Sequence, residues 1–193
     1  DLIKNKYKKI NIIPDEDLFF RKTYLKFLKK MFFLPDFKNK IIIDCSNGAS
    51  SIFMRELFRE TKNIMIINDK PNGKNINDNC GSLHPKKLQK LLKKRNFDFG
   101  LALDGDSDRC VLIHKKLGLI DSEKVLFMLL AILKRKNKKK IVCSSEIVNK
   151  ALEFNLDKIS YSLIQTKVGD RNVINCTKKI GAHIGFEPSG HFY

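Results

Sequence analysis

The sequence predicts an α/β fold: successive α/β units with mostly parallel mixed sheets covered by helices. Three observations carry this reading. Apolar runs of strand length alternate with amphipathic stretches of helical length from about residue 18 onward. Strands joined through helices need crossovers, which leave neighbouring strands parallel and both sheet faces covered. After a lysine-rich connector at residues 134–140 the alternation starts again, which divides the chain into two units. At 193 residues and 42% hydrophobic content the chain can bury a substantial core.

The elements follow in order. Residues 1–16 are polar and lysine-rich, ending near Pro14-Asp15, and read as a tail and linker. From Leu18 to Met31 apolar residues recur at three- and four-residue steps, the period of an amphipathic helix. Residues 41–44 (Ile-Ile-Ile-Asp) form a strand, and Asn47-Gly48 opens a helix over 51–60. A strand at 64–67 precedes a helix over 85–94, whose proline sits in the first turn, where its missing N–H costs nothing. Strands follow at 97–103 and 111–114, then a helix at 122–134. In the second unit the pattern predicts strands at 141–143, 159–164 and 183–187, with helices at 146–154 and 169–178. A strand-like run begins at residues 190–193, and the last unit is expected to be loosely held beyond about Ile180.

The run Phe99-Gly-Leu-Ala-Leu-Asp104-Gly-Asp106-Ser-Asp108-Arg109 is the most informative stretch. An apolar strand stops at three carboxylates spaced two apart. So much like charge is tolerable around a cation, and hard divalent ions such as Mg²⁺ take oxygen ligands of this kind. Asp104, Asp106 and Asp108 are therefore the candidate metal ligands. Gly105 is expected to supply a tight turn, and Arg109 offers a forked donor suited to phosphate. An EF-hand is excluded, because its sixth and twelfth positions, counted from Asp104, hold Arg109 and Lys115. In open α/β sheets ligands gather at the carboxyl ends of strands. Asp104 falls at such an end.

Composition narrows the classes. The formal charge is +17, yet only seven of the 38 basic residues are arginine, and lysine is scattered along the whole chain. That argues against a clustered nucleic-acid surface, so no nucleic-acid partner is expected. Five cysteines at 45, 80, 110, 143 and 176 contain no Cys-x-x-Cys pair, which suits a reducing, cytoplasmic setting. The longest apolar run, residues 125–133, is too short to span a bilayer. No membrane partner is expected and no signal peptide is visible. The chain begins at Asp and stops at Gly-His-Phe-Tyr, so it is read as a fragment of a longer protein.

On two motifs the sequence resembles the α-D-phosphohexomutases. Asp104 to Arg109 matches the Asp-Gly-Asp-x-Asp-Arg loop of that family's second domain. Phe186-Glu187-Pro188-Ser189-Gly190-His191 is similar to the Gly-Glu-x-Ser-Gly-His loop of its third. Lys167-Val-Gly-Asp-Arg171, Pro71-Asn-Gly-Lys-Asn-Ile-Asn-Asp-Asn-Cys-Gly81 and Asp44-Cys-Ser-Asn-Gly-Ala49 look most like the phosphoglucosamine mutases within it. Phe186 and Pro188 depart from the loop pattern, and Ser145 stands where those enzymes often carry asparagine. The resemblance covers a domain-one tail (residues 1–17), domain two (18–136) and a truncated domain three (137–193).

The resemblance implies interconversion of glucosamine 6-phosphate and glucosamine 1-phosphate through a phosphoserine and a bound 1,6-bisphosphate, feeding UDP-N-acetylglucosamine and cell-wall synthesis. It implies Mg²⁺ on Asp104, Asp106 and Asp108, with Arg109 touching the phosphoryl group or orienting a neighbouring base. It also implies sugar contacts from Glu187 and Ser189, with His191, Lys167 and Arg171 facing substrate. The family's Ser-His-Asn phosphoserine loop does not occur among these residues: none of the four histidines (84, 114, 183, 191) directly follows a serine. The chain alone is thus expected to be inactive, and a homodimer is open for the full-length form. Three alternatives stand beside this reading: a glucose or mannose phosphate mutase, a noncatalytic sugar-phosphate- or metal-binding α/β module, and a basic nucleic-acid binder.

Overall fold

Two mixed sheets organise the chain in the computed structural model, which describes residues 18–31, 38–133 and 139–193. The chain divides into two compact units, Asp1–Phe37 and Lys38–Tyr193. Described of the first is helix α1 (Leu18–Met31), as the apolar spacing predicts. The expected linker at residues 1–17 lies outside the described residues, as does most of the basic connector.

The first sheet has the order β2-β1-β3-β4-β5. Strands β1 (Ile41–Asp44), β2 (Ile64–Ile67) and β3 (Phe99–Leu103) are parallel, with Ile41 paired to both Ile64 and Phe99. Strands β4 (Cys110–His114) and β5 (Gly118–Ile120) then return antiparallel. Side chains alternate across the pleat. Ile42 and Ala102 face α3 (Pro85–Arg95) through Leu88 and Leu92, while Ile43 and Leu103 pack with Phe58, Met54 and Leu57 at α2 (Ser51–Leu57). Asn96 ends α3 in the left-handed conformation at φ 54°, its N–H donating to the carbonyls of Leu92 and Lys93.

The second sheet, β7-β6-β8-β9, repeats the plan. Strands β6 (Lys139–Ser145), β7 (Ser162–Thr166) and β8 (Ala182–Glu187) are parallel, and β9 (His191–Phe192) returns antiparallel. Val142, Ile184 and Phe186 form one core with Leu126 and Leu130 of α4 (Ser122–Ile132) and Leu152 and Leu156 of α5 (Ala151–Asp157). Cys143 and Ala182 meet Val173 of α6 (Asp170–Ile180) on the other face. Helix α4 therefore packs with the second sheet, although the sequence reading groups it with the first unit.

Four details differ from expectation. Residues 146–150 form a turn rather than the start of α5, because the Glu146 N–H donates to Thr166 and the Asn149 side chain accepts from the Ala151 N–H. Strand β7 begins three residues late: Ser160 takes a positive φ and the Tyr161 N–H returns to Leu156, closing the end of α5. Strand β8 is buried at every position and hydrogen-bonded between β6 and β9, so packing opposes looseness beyond Ile180. The short β5 had not been anticipated.

Candidate active site

The acidic loop leaves β3 at its carboxyl end. Asp104 is buried, while Asp106 and Asp108 are exposed. One carboxylate oxygen from each of the three can be chosen so that all lie within 4.8 Å of one another, the only such acidic, histidine or cysteine cluster found among the described residues. Three converging hard oxygen donors fit a hard divalent cation. Arg109 turns back on the loop. Its Nε donates to Asp104 Oδ2 at 2.5 Å and its backbone N–H to Asp104 Oδ1 at 3.2 Å. This hydrogen bond raises the Arg109 pKa, which keeps the guanidinium charged beside the cluster.

The tight turn expected at Gly105 is present: the Ser107 N–H donates to the Asp104 carbonyl at 3.2 Å, so Gly105 and Asp106 are its central residues, and Ser107 carries the positive φ that follows. Gly105 also provides close approach. A methyl there would meet Ile76 at 2.7 Å and Asn77 at 3.0 Å. Opposite it, a methyl on Gly48 would lie 2.8 Å from the Gly105 carbonyl carbon. Two glycines back to back bring the turn after β1 against the acidic loop, where the Ala49 N–H donates to the Gly105 carbonyl at 2.8 Å.

The Glu187–His191 loop leaves β8 in the corresponding place. Glu187 is 6% exposed, and its Oε1 accepts from the Gly169 N–H at the start of α6 at 3.4 Å. Ser189 is exposed at the crest of the turn. Gly190 adopts φ 102°, and a methyl there would crowd the Cys110 carbonyl at 3.0 Å. This brings the second loop onto β4 directly behind the acidic loop, with the Cys110 N–H donating to the Gly190 carbonyl at 3.4 Å.

The two loops also meet through side chains. His191 Nε2 lies 3.0 Å from Asp108 Oδ2, and its Nδ1 lies 2.9 Å from Ser189 Oγ and 3.5 Å from Glu187 Oε2. The hydrogen bond from His191 holds the Asp108 carboxyl below its usual range. Tyr193 stacks on His191, with ring centroids 6.0 Å apart. Burial, with Glu187 nearby, pushes the Tyr193 phenol up to about 12.

Seven of the nine candidate residues are thus gathered: Asp104, Asp106, Asp108, Arg109, Glu187, Ser189 and His191. Among the described residues Lys167 and Arg171 make no hydrogen bond or ion pair with these seven; they are exposed on either side of Gly169, whose N–H donates to Glu187 at the start of α6. Supporting residues missed in the sequence are Asp44 and Ser46 beside the acidic loop, and Ser122, whose hydroxyl donates to the Pro188 carbonyl at 2.8 Å. The run Asp44-Cys-Ser-Asn-Gly-Ala49, which resembles the family, was the signal for the first pair.

Residues 22–118 match the family profile of phosphoglucomutase/phosphomannomutase, alpha/beta/alpha domain II, and residues 121–193 match that of domain III. Phosphoglucosamine mutase of Clostridium kluyveri is 38% identical over 175 residues, covering 89% of this chain and 39% of that protein. The Acinetobacter baumannii enzyme of the same name is 39% identical over 171 residues, or 87% and 38% of the two chains. The chain therefore spans less than half the length of these relatives. A solved phosphoglucomutase/phosphomannomutase family protein from Burkholderia thailandensis superposes with a TM-score of 0.72 at 21% identity, covering 89% of this chain and 38% of that one. Aspergillus fumigatus N-acetylphosphoglucosamine mutase, solved with GlcNAc-6P and magnesium, superposes at 0.56 and 20% identity, covering 88% and 38%.

Proposed function

The chain belongs to the phosphoglucomutase/phosphomannomutase family, and from that premise we propose that it supplies the metal loop and sugar loop of a mutase interconverting glucosamine 6-phosphate and glucosamine 1-phosphate. A phosphoserine outside these residues would carry the phosphoryl group, and a 1,6-bisphosphate would be the intermediate. The relatives named phosphoglucosamine mutase support the choice of sugar. The observation that carries the reading furthest is the meeting of the two loops, with His191 between Asp108 and Ser189.

Asp104, Asp106 and Asp108 would hold Mg²⁺, which when bound supplies positive charge that draws electron density from a phosphoryl group. Arg109 neutralises part of the cluster's charge and keeps Asp104 aimed inward. With a neutral ring, His191 donates from Nε2 to Asp108 and accepts at Nδ1 from the Ser189 hydroxyl. That leaves the Ser189 oxygen facing outward as an acceptor for a sugar hydroxyl, beside the carboxylate of Glu187. Lys167 and Arg171 are exposed cations available to a substrate phosphate. Five free cysteines suit a reducing, cytoplasmic setting.

The test is a chimera in which residues 22–193 replace the matching segment of the Clostridium kluyveri relative. We expect Mg²⁺-dependent formation of glucosamine 1-phosphate. A folded chimera that turns over only glucose or mannose phosphates would overturn the choice of sugar, and one inert on all three would overturn the mutase reading.

A further inference from the structure

Two wholly buried serines that the proposed chemistry never touches reach the root of each functional loop. Ser46, two residues past the end of β1, donates its hydroxyl to the carbonyl of Leu103. Ser144, near the end of β6, donates its hydroxyl to the carbonyl of Phe186 at 2.6 Å. Leu103 immediately precedes Asp104, and Phe186 immediately precedes Glu187. In both sheets, then, a hydroxyl from the neighbouring parallel strand holds the last carbonyl before the first carboxylate of the loop.

The positions are informative. The β1–β3 ladder ends at the pair Asp44–Ala102, so Leu103 lies one residue beyond it. The β6–β8 ladder ends at Ser144–Phe186. Where the ladder stops, the serine hydroxyl continues the pairing. A peptide unit is planar, so fixing the Leu103 carbonyl also fixes the direction in which the Asp104 N–H and Cα leave the strand. The same holds for Phe186 and Glu187.

Ser46 is itself held in place. It adopts φ 54°, a left-handed conformation unusual for serine. The buried Asp44 carboxylate secures it there, accepting from the Ser46 N–H at 3.0 Å and the Gly81 N–H at 2.9 Å. A strained residue so tightly held for one outgoing hydrogen bond argues that the bond matters.

We infer that Ser46 and Ser144 are positioning residues: Ser46 sets the exit of the acidic loop and Ser144 that of the sugar loop, each independently of the other. This rests on the mutase reading only in naming what the loops bind.

The experiment uses the 193-residue chain, with amide hydrogen exchange and Mn²⁺ titration as separate readouts. The Arg109 N–H, bonded to Asp104 Oδ1, reports on the first loop, and the Gly169 N–H, bonded to Glu187 Oε1, on the second. Ser46→Ala should speed exchange at Arg109 roughly tenfold and weaken Mn²⁺ binding several-fold, with Gly169 changed less than about twofold. Ser144→Ala should do the reverse and leave Mn²⁺ binding unchanged. Ser46→Cys keeps the size and a weak donor, and should fall between parent and alanine variant; it also serves if Ser46→Ala does not fold.

Equal effects at both amides in both variants, or none at either, would overturn the inference in favour of general packing. Failure of the parent chain to bind Mn²⁺ would instead overturn the metal assignment, while the exchange pattern would still decide the role of the serines.

Discussion

Replacing Gly48 by alanine should push a methyl group into the acidic loop. The new carbon would sit 2.8 Å from the carbonyl carbon of Gly105 and 2.9 Å from its Cα. Both neighbours are backbone, so no rotamer change can relieve the contact and the loop itself must move. Overpacking of this kind costs about 1–3 kcal/mol. Displacing Gly105 also stretches the Ala49 N–H bond to its carbonyl, worth about 1 kcal/mol. Against this, alanine restricts the unfolded chain and returns about 0.4–1 kcal/mol. The net loss is about 2 kcal/mol, which lowers Tm by roughly 4–8 °C in a chain of this size. A thermal melt of the 193-residue chain measures it, and a Mn²⁺ titration of the same sample follows the loop, whose affinity should fall as well. Leu117→Ala, at a side chain 75% exposed, is the control and should change Tm by no more than about 1–2 °C. A Gly48→Ala melt matching that control would refute the claim that the two glycines set the position of the acidic loop.

Asp106→Asn, at an exposed candidate ligand outside the hydrogen-bonded root of the loop, should leave the melt nearly unchanged. In the chimera it should cut turnover by about two orders of magnitude or more; near-normal activity would remove Asp106 from the metal site. Glu187→Gln keeps shape and burial but loses a charged acceptor, so glucosamine 6-phosphate binding should weaken roughly tenfold, as read by calorimetry on the chimera. Unchanged binding would mean the sugar is held elsewhere. Asp98 accepts from Lys115 Nζ at 2.7 Å and from the Lys40 N–H at 2.9 Å, which depresses its pKa below the ordinary 3.8. A depressed carboxyl stabilises the fold above its unfolded pKa and loses that contribution as pH falls through the folded value. The Tm difference between parent and Asp98→Asn should therefore be present at neutral pH and vanish below 3.8; a difference that grows in acid would reverse the sign of the argument. The 193-residue chain by itself should form no glucosamine 1-phosphate in a coupled assay primed with the 1,6-bisphosphate, since no serine among its residues precedes a histidine.

The acidic loop was legible because its chemistry lies within six consecutive residues at the end of an apolar strand. Strands β1, β2 and β3 were legible for a related reason: residues buried or half-buried on both faces leave unbroken apolar runs. Strand β5 escaped because three residues, one of them glycine, carry no period. Helix α5 begins later than the sequence suggests because Glu146, Ile147 and Val148 read as helical, whereas the Ala151 N–H bond to the Asn149 side chain and the Glu146–Thr166 bond hold them in a turn. The turn at Gly105 was legible, whereas its second role, close approach to Ile76 and Asn77, depends on contacts that no local pattern shows. The contact between His191 and Asp108 spans 83 residues and depends on how Gly190 seats on Cys110. No local pattern encodes a contact of that kind.

The two sheets solve one problem in the same way. A loop that presents carboxylates cannot rely on them alone for anchorage, because each bond they make to the protein occupies a lone pair that a ligand could use, and both Asp104 oxygens already accept from Arg109. Further anchorage comes from groups that bind nothing else. In the first sheet these are the Ser46 hydroxyl, the Ala49 N–H and the Gly48–Gly105 contact; in the second they are the Ser144 hydroxyl, the Ser122 hydroxyl on Pro188 and the Gly190–Cys110 contact. Among the described residues Asp106 makes no hydrogen bond to a protein donor, and the contacts that Asp108 and Glu187 make come from His191, Arg109 and one backbone amide. The two halves are then joined at an edge where both loops turn toward β4 and β9. His191 reaches Asp108 while its other nitrogen faces Ser189, so the two loops meet at their tips while each root is held by its own serine. The junction combines this imidazole with the Cys110 N–H on the Gly190 carbonyl, while the serine-held roots keep each set of donors in register with its own sheet.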